Sequence, residues 1–419
     1  MDPISPMTAT KSPPASGLSG IVSPFARLRR LLGAMEPGRS PAIDMTIGEP
    51  RHDMPEFLMA KLQEGAAGFA KYPPIKGSDD VRRAIAEWIG RRYGLPSQGP
   101  GHVDPDRHVI PIVGSREGLF SACFPAIDAK RAKLPAGVRP AMLIPNPFYQ
   151  VYAGGALSAG AEPVFLAAFR STSFLPDLEA LAADTALLAR TAVLVLCSPA
   201  NPQGTIASKA YLARAIELAR AHDFLLFSDE CYSEIYTEAP PPGALEVAAG
   251  MGGGFENVIA FNSLSKRSNL PGLRIGFAAG DPVFIEAFAE FRNVTAPQLP
   301  LPIQHAGAAI WREESHVEKS RRRYIEKFRI ADAILGNRYG YRRPGGGFFL
   351  WLDMSQYGGG EATTVTLWQR CGVKVLPGAF LARDMDGGPN PGRDFIRAAL
   401  VHDAETTREA LERIVEVLR

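Results

Sequence analysis

Short apolar runs alternate with helical patterns through the middle of the chain. Six of these runs contain so few polar residues that they are typical of strands covered on both faces of a sheet. They span residues 109–113, 141–144, 193–197, 225–228, 258–261 and 275–279. Alternation of strands with helices predicts an α/β domain with a mainly parallel sheet. Ligands of such a sheet are expected beyond the carboxyl ends of its strands.

The helix that the pattern predicts most clearly begins after Ser208, whose short polar side chain suits an N-cap. Leu212, Ile216 and Leu218 follow at helical spacing, so they form one apolar face. This face is expected to pack against the sheet.

The pattern changes after about residue 295. A proline-rich segment over 295–302 precedes a charged stretch, 303–335, that predicts one long helix. A glycine-rich turn at 345–347, a strand over 348–352 and a final helix from about Ala404 follow. These elements predict a smaller α+β domain.

The chain has 419 residues, which is enough for a large and a small domain that each have a core. We expect the large domain over residues 51–295, and the small domain over residues 21–50 together with 296–419. Residues 1–20 are rich in Ser, Pro, Gly and Ala, which predicts a disordered tail.

The composition excludes several classes of protein. A net charge of +2 gives no reason to expect nucleic acid or an anionic membrane as a partner. No apolar run is long enough to span a bilayer, and the N-terminus lacks the pattern of a signal peptide. The four cysteines are widely spaced without a CxxC pair, so we expect no metal site and a cytoplasmic protein with reduced thiols.

Four short motifs, each next to an apolar run, carry the functional argument. They are SPANPQG at 198–204, SDECY at 228–232, SLSK at 263–266 and LR at 273–274. Together and in this order they resemble the class I/II aminotransferase family, which has fold type I of the pyridoxal 5'-phosphate (PLP) enzymes. The resemblance extends from about Ile47 to Leu400. It implies PLP as the cofactor, and the large domain, with its mainly parallel sheet flanked by helices, as the part that binds it.

The resemblance assigns the catalytic residues one by one. Lys266 matches the lysine that binds the cofactor aldehyde covalently and then moves a proton. Asp229 matches the carboxylate that keeps the pyridine nitrogen protonated, since a nearby negative charge raises the pKa of that nitrogen. Tyr232 and Asn201 match the two residues that hydrogen-bond the ring hydroxyl.

Further matches concern the phosphate of the cofactor. Gly114, Ser115 and Arg116 follow a predicted strand and open a helical stretch, where backbone N–H groups suit a dianion. Ser263 and Arg274 match further phosphate ligands, and an arginine binds phosphate through two parallel hydrogen bonds.

The remaining matches concern the pyridine ring, the substrate and the partner subunit. Tyr149 matches the aromatic residue that stacks on the ring. Arg397 and Gly48 match contacts to the α-carboxylate of the substrate, as does Asn201. Tyr72 resembles the tyrosine that reaches the cofactor phosphate of the neighbouring subunit, which implies a homodimer with shared active sites.

Within the family, segments 263–274, 376–383 and 390–392 resemble the N-succinyldiaminopimelate aminotransferases of lysine biosynthesis. This implies ping-pong amino transfer between glutamate/2-oxoglutarate and N-succinyl-2-amino-6-oxopimelate/N-succinyl-LL-2,6-diaminopimelate. Both substrates carry distal negative groups, for which Arg51, Arg267 and Arg383 are candidate partners.

Three other functions stay open. Another aminotransferase, for aspartate, aromatic amino acids or kynurenine, needs the same cofactor residues. A PLP-dependent C–S lyase on the same fold needs the same lysine and aspartate. A regulator that only binds PLP normally carries a basic DNA-binding segment, which we do not find in the sequence.

Overall fold

The computed structural model describes residues 22–385 and 387–419, so the disordered tail predicted over residues 1–20 lies outside the described part. The α-helices of this part are α1 Pro24–Leu32, α2 Leu58–Glu64, α3 Asp79–Tyr93, α4 Ser115–Arg131, α5 Gln150–Ser158, α6 Leu178–Ala183, α7 Thr185–Arg190, α8 Lys209–Ala221, α9 Ala244–Gly250, α10 Leu264–Arg267, α11 Pro282–Thr295, α12 Leu301–Arg312, α13 Ser315–Leu335, α14 Gly359–Cys371 and α15 Ala404–Val417.

The strands form one large sheet and two small ones. They are β1 Ile43–Asp44, β2 Val109–Ile112, β3 Ala141–Asn146, β4 Glu162–Ala167, β5 Thr191–Cys197, β6 Leu225–Asp229, β7 Val258–Ser263, β8 Gly276–Gly280, β9 Phe349–Asp353, β10 Val373–Lys374, β11 Leu376–Pro377 and β12 Phe395–Ala399. The large sheet has the order β2-β8-β7-β6-β5-β3-β4. All six apolar runs predicted as strands lie in this sheet, so that prediction is confirmed.

The sheet is parallel except for β8, which is antiparallel to both of its neighbours, β2 and β7. The carboxyl ends of β2, β7, β6, β5 and β3 therefore meet at one edge, together with the amino end of β8. This arrangement brings the motif after β5, the motif at the end of β6 and the motif after β7 next to one another. It also brings Arg274, which precedes β8, to the same edge.

One strand of this sheet, β4, has no counterpart among the predicted strands. It is the edge strand, and all six of its residues are only partly buried. Its sequence, EPVFLA, contains the short apolar run VFLA but lacks the alternation of a half-exposed strand, and a short apolar run alone does not distinguish a strand from a buried helix segment. The period of the pattern therefore gave no signal.

The predicted helix after Ser208 is confirmed as α8. The Ser208 hydroxyl accepts a hydrogen bond from the Tyr211 N–H at 3.1 Å, and Leu212 and Ile216 are fully buried against the sheet. The final helix, α15, begins at Ala404 as the sequence predicts.

The prediction of a single long helix over 303–335 is wrong, because two helices, α12 and α13, occupy this stretch and the helical conformation is interrupted between them. The Glu313 carboxylate accepts hydrogen bonds from the N–H groups of Ser315 and His316, which satisfies donors at the start of α13. A charged sequence with good helix propensity hides such a break, since the cap is made by a glutamate that also suits a helix interior.

The smaller sheets pack with α13, α14 and α15. Strands β11, β12 and β9 form an antiparallel sheet, and β1 pairs with β10 in parallel. Their shared core joins Ile43 and Met45 with residues from 328 to 418. Helix α12 instead packs on α3, and its Trp311 belongs to the core of the large sheet. The division into domains remains a proposal, and this packing favours a boundary after α12.

In the part of the chain that the structure describes, no helix has the length and apolar character needed to cross a bilayer.

We predict that Trp311→Ala lowers the free energy of unfolding by about 3–5 kcal/mol. Trp311 is fully buried, and its ring centroid lies 4.9 Å from that of Trp88 on α3. The control is Val294→Ala on α11, where the side chain is 81% exposed and the change should stay within about 0.5 kcal/mol. Urea unfolding followed by circular dichroism measures both, and equal midpoints for the two variants would contradict the packing.

Candidate active site

A cavity of about 600 Å³ lies at the carboxyl edge of the large sheet and is closed on its other side by elements of the smaller sheets. Most of the residues predicted to form the site line this cavity. They are Gly48, Ser115, Arg116, Tyr149, Asn201, Asp229, Tyr232, Lys266, Arg274 and Arg397.

Lys266 follows β7 on the single turn of α10, which points its side chain into the cavity. Its Nζ donates a hydrogen bond to the carbonyl oxygen of Gly48 and lies 5.4 Å from the centroid of the Phe348 ring. Burial lowers the pKa of Lys266 to about 8, because the charged amine loses water. A substantial fraction of this amine is therefore neutral and nucleophilic near pH 8.

Asp229 ends β6, the strand next to β7, and its side chain is buried. Its carboxylate accepts hydrogen bonds from the Tyr152 hydroxyl at 2.6 Å and from the Cys231 N–H at 3.2 Å. Burial raises the pKa of Asp229, and no ion pair offsets this among the residues that the structure describes. A buried carboxylate of this kind suits a cationic group in the cavity.

An anion cradle lies where β2 passes into α4. The N–H groups of the first turn of α4, which begins at Ser115, have no partner within the helix. Beside them the Arg274 guanidinium donates to the carbonyl oxygens of Pro271 at 2.8 Å and Val113 at 3.2 Å. A Cβ on Gly114 would lie 2.3 Å from Arg274 Nη2, so only glycine allows this close approach. The positive helix end and the guanidinium together suit a phosphate.

Arg397, on β12, enters the cavity from the opposite side and is buried. Its Nη1 donates to Asn201 Oδ1 at 2.9 Å and its Nη2 to the Thr46 carbonyl oxygen at 2.7 Å. Its Nε has no partner within the described residues, and burial lowers the pKa of Arg397 to about 10. A buried guanidinium without a carboxylate partner suits a carboxylate ligand.

Aromatic residues form the walls between these charged groups. Tyr149 accepts a hydrogen bond from Arg116 Nε through its hydroxyl. Tyr232 is buried against Phe348 and Phe349, with ring centroids 5.4 and 5.7 Å away. The cavity thus has flat apolar surfaces that suit a planar ring.

Three of the predicted residues do not line the cavity. Gly114 lies behind the anion cradle, as described above. Ser263 is fully buried, and its hydroxyl donates to the Ile275 carbonyl oxygen at 3.1 Å, whereas Ser265 lines the cavity. Tyr72 lies outside it and is 99% exposed.

The three arginines expected near the distal end of a substrate also lie outside this cavity. Arg267 is buried in the core, where it donates to the Ile310 carbonyl oxygen at 3.2 Å and lies over the Trp311 ring. Arg51 is exposed and contacts His402. Arg383 lines a smaller neighbouring cavity.

Sequence reasoning missed Tyr152, the hydrogen-bond donor to Asp229. It lies on the first turn of α5, three residues after the N-cap residue Tyr149, and the centroids of the two rings are 5.7 Å apart. Its hydroxyl was the available signal, because a buried Tyr O–H needs a partner, but the sequence does not show which residue that partner is.

The large sheet has seven strands, of which β8 is reversed. A lysine, a carboxylate and a helix N-terminus that suits a phosphate lie at one of its edges. This combination defines a transferase of PLP fold type I. The model of the family "Aminotransferase class I and II" matches residues 40–414, and the chain belongs to this family. Members of this family use PLP, so PLP is the cofactor.

The chain is similar to several known proteins over almost its full length. An LL-diaminopimelate aminotransferase of Desulforudis audaxviator is 31% identical over 93% of this chain and 94% of its own. A structure of an aminotransferase from Neisseria meningitidis Z2491 is 37% identical with a TM-score of 0.89, covering 96% of this chain and 99% of that one. Aminotransferase AspB from Helicobacter pylori 26695 is 32% identical with a TM-score of 0.83, covering 95% and 99%.

We predict that the Lys266 amine of the cofactor-free protein reacts with trace acetic anhydride at a rate that rises with pH, with a midpoint near 8. The neutral amine is the reactive form, and burial lowers the pKa of this group to about 8. Peptide mapping of residue 266 measures the rate. In urea-unfolded protein the midpoint should return to roughly 10.4. A midpoint near 10.4 in the folded protein would contradict the burial argument.

Proposed function

We propose that this PLP-dependent aminotransferase exchanges amino groups between glutamate/2-oxoglutarate and N-succinyl-2-amino-6-oxopimelate/N-succinyl-LL-2,6-diaminopimelate in lysine biosynthesis. The observation that carries the proposal is the buried Arg397, which faces the same cavity as Lys266 and lacks a carboxylate partner among the described residues. The segment that resembles the N-succinyldiaminopimelate enzymes contributes Leu381 to the cavity wall. A cytoplasmic location stays a prediction from the sequence.

The site residues would hold PLP at both of its ends. Ser115 and Arg274 form the anion cradle for its phosphate, with Gly114 behind it, Arg116 beside it and Ser265 as the serine that faces the cavity. Ser263 would act on the phosphate only indirectly, by positioning Ser265, because its hydroxyl accepts a hydrogen bond from the Ser265 N–H at 3.2 Å.

At the other end of the cofactor, Lys266 would hold the aldehyde and Asp229 the ring nitrogen. A protonated ring nitrogen would give the buried Asp229 carboxylate the cation that it lacks. Tyr149 would stack on the ring, and Tyr232 and Asn201 would form hydrogen bonds with the ring hydroxyl.

The residues of the chain would then have separate roles in transamination. When bound, PLP supplies a carbon that accepts the amino group and a ring that takes up the electron pair left by the α-proton. Lys266 would take up the α-proton on its Nζ and release it again later in the cycle, for which a pKa near working pH is favourable. Arg397 fixes the α-carboxylate through a charge-assisted pair, and the Gly48 backbone closes this end of the site.

LL-2,6-diaminopimelate itself is a second candidate substrate. The specific observation in its favour is the name of the relatives that are 27–31% identical to this chain, LL-diaminopimelate aminotransferases. The two candidates share the seven-carbon frame with a carboxylate at each end. They differ only at the distal amine, which is acylated by succinate in the first.

We predict that holoenzyme mixed with one amino donor, without an acceptor, shows loss of the cofactor's aldehyde-form absorbance with glutamate and with N-succinyl-LL-2,6-diaminopimelate. LL-2,6-diaminopimelate, aspartate, tyrosine and kynurenine should be at least about tenfold slower, since one unpaired polar group costs about 1–3 kcal/mol. Arg397→Lys should slow every donor, because lysine cannot replace the planar fork.

The outcomes separate the alternatives. Faster reaction of LL-2,6-diaminopimelate than of its succinyl form would transfer the assignment to that substrate. Preference for aspartate, tyrosine or kynurenine would support the other aminotransferases. Release of pyruvate and ammonia from cystathionine without an acceptor would support a lyase instead.

We also propose a homodimer in which Tyr72 completes the partner's site. Tyr72 is 99% exposed, and Phe69 and Met59 nearby in sequence are 68% and 59% exposed. Large apolar side chains exposed in one segment suit an interface.

Co-expression of Lys266→Ala with Tyr72→Ala subunits tests this arrangement. We predict that Tyr72→Ala alone weakens PLP binding roughly tenfold or more, as expected for a lost hydrogen bond to a charged group. The mixed dimer should regain one complete site, and therefore about half of the wild-type activity per dimer. No recovery in the isolated mixed dimer would contradict a shared site.

A further inference from the structure

A second cavity of about 340 Å³ adjoins the active-site cavity, and both are lined by Phe148 and Gln150. Three arginines line it: Arg27, Arg30 and Arg383. We call it the arginine vestibule. Asp384 is the one carboxylate among its described lining residues, so the lining carries an excess of positive charge.

Helix α1 holds two of the arginines in place. Arg27 and Arg30 are three residues apart, so they lie on one face of the helix. Leu28 and Leu32 are buried on another face against Phe380 and neighbouring residues. The helix therefore cannot rotate without losing apolar burial, and both guanidinium groups stay directed toward the vestibule.

Local contacts fix the other parts of the vestibule. The Arg27 guanidinium lies 4.1 Å from the centroid of the Phe380 ring. Asn146, fully buried at the end of β3, donates to the Arg383 carbonyl oxygen and accepts from the Arg383 N–H, both at 2.9 Å. Because Asn146 lies two residues before Phe148, these bonds tie the vestibule to the wall of the active site.

Two of the vestibule arginines are without an ionic partner in the described part of the chain. Within the described residues neither Arg27 nor Arg30 forms an ion pair with a carboxylate. The pKa of Arg27 is lowered, chiefly by burial and then by the charge of Arg383, although the carboxylates of Glu361 and Asp384 act in the opposite direction. The Asp384 carboxylate accepts a hydrogen bond from Asn390 Nδ2 at 3.1 Å. An anion placed between the arginines would relieve their repulsion and replace lost water.

We propose that the arginine vestibule binds the distal carboxylate of a long dicarboxylic amino acid or 2-oxo acid. The proposal deepens the proposed function and rests on one part of it, that Arg397 takes the α-carboxylate. A ligand held there must pass Phe148 and Gln150 to reach the vestibule, which requires several methylene groups. The side chain of glutamate has two methylene groups. The vestibule therefore selects the longer of the two amino donors, and glutamate is bound by other contacts.

A matched pair of seven-carbon donors tests the vestibule in the holoenzyme. 2-Aminopimelate and 2-aminoheptanoate differ only in the distal carboxylate. We expect wild type to convert 2-aminopimelate at least about tenfold faster in the half-reaction, as for a charge-assisted contact. The double variant Arg27→Gln/Arg30→Gln should lose this preference and keep its rate with 2-aminoheptanoate within about twofold. Arg29→Gln, on the same helix but outside the vestibule lining, should keep the preference.

Binding without turnover gives an independent readout. In calorimetry with holoenzyme, pimelate should bind at least roughly tenfold tighter than heptanoate, and the double variant should lose the difference. A preference that is absent in wild type, or unchanged in the double variant, overturns the proposal. If glutamate and both seven-carbon donors all fail to react, the proposed function fails, and the pimelate titration still decides whether the vestibule binds a distal carboxylate.

Discussion

The active site depends on two groups of opposite charge, Lys266 and Asp229, that are buried at one edge of the large sheet. They do not form an ion pair with each other. Lys266 has a pKa lowered to about 8, and the pKa of Asp229 is raised, both chiefly by burial. Within the described part of the chain, neither group has the ionic partner that buried charges normally have. Such an arrangement is costly in free energy for an isolated protein, and a cofactor with an aldehyde, a basic ring nitrogen and a phosphate satisfies it.

The fold creates this arrangement through strand direction. Parallel strands β5, β6 and β7 bring their carboxyl ends together, which places Asn201, Asp229 and Lys266 side by side. The reversal of β8 adds Arg274 from the amino end of a strand. β12 of the smaller antiparallel sheet then supplies Arg397. The site therefore lies between two cores, where apolar packing holds charged side chains in fixed positions.

The apolar runs predicted the central strands, and the resemblance to the aminotransferase family predicted most of the cavity lining, because its motifs lie next to those runs and strand ends converge. The sequence could not predict Tyr152, which meets Asp229 across 77 residues through the packing of α5. It also suggested Arg267 as a partner for the distal end of a substrate, although this residue is buried in the core. Successive residues on the turn of α10 point in different directions, one into the cavity and one into the core. The break after α12 depends on a cap that only three-dimensional contacts reveal.

We expect a single buried amine, that of Lys266, to carry the cofactor. The most direct measurement is reduction of the holoenzyme with sodium borohydride, followed by proteolysis and mass spectrometry of the labelled peptide. We predict a single pyridoxyl group, attached to Lys266, and none in the Lys266→Ala variant. A pyridoxyl group at another lysine, or none in protein saturated with PLP, would contradict it.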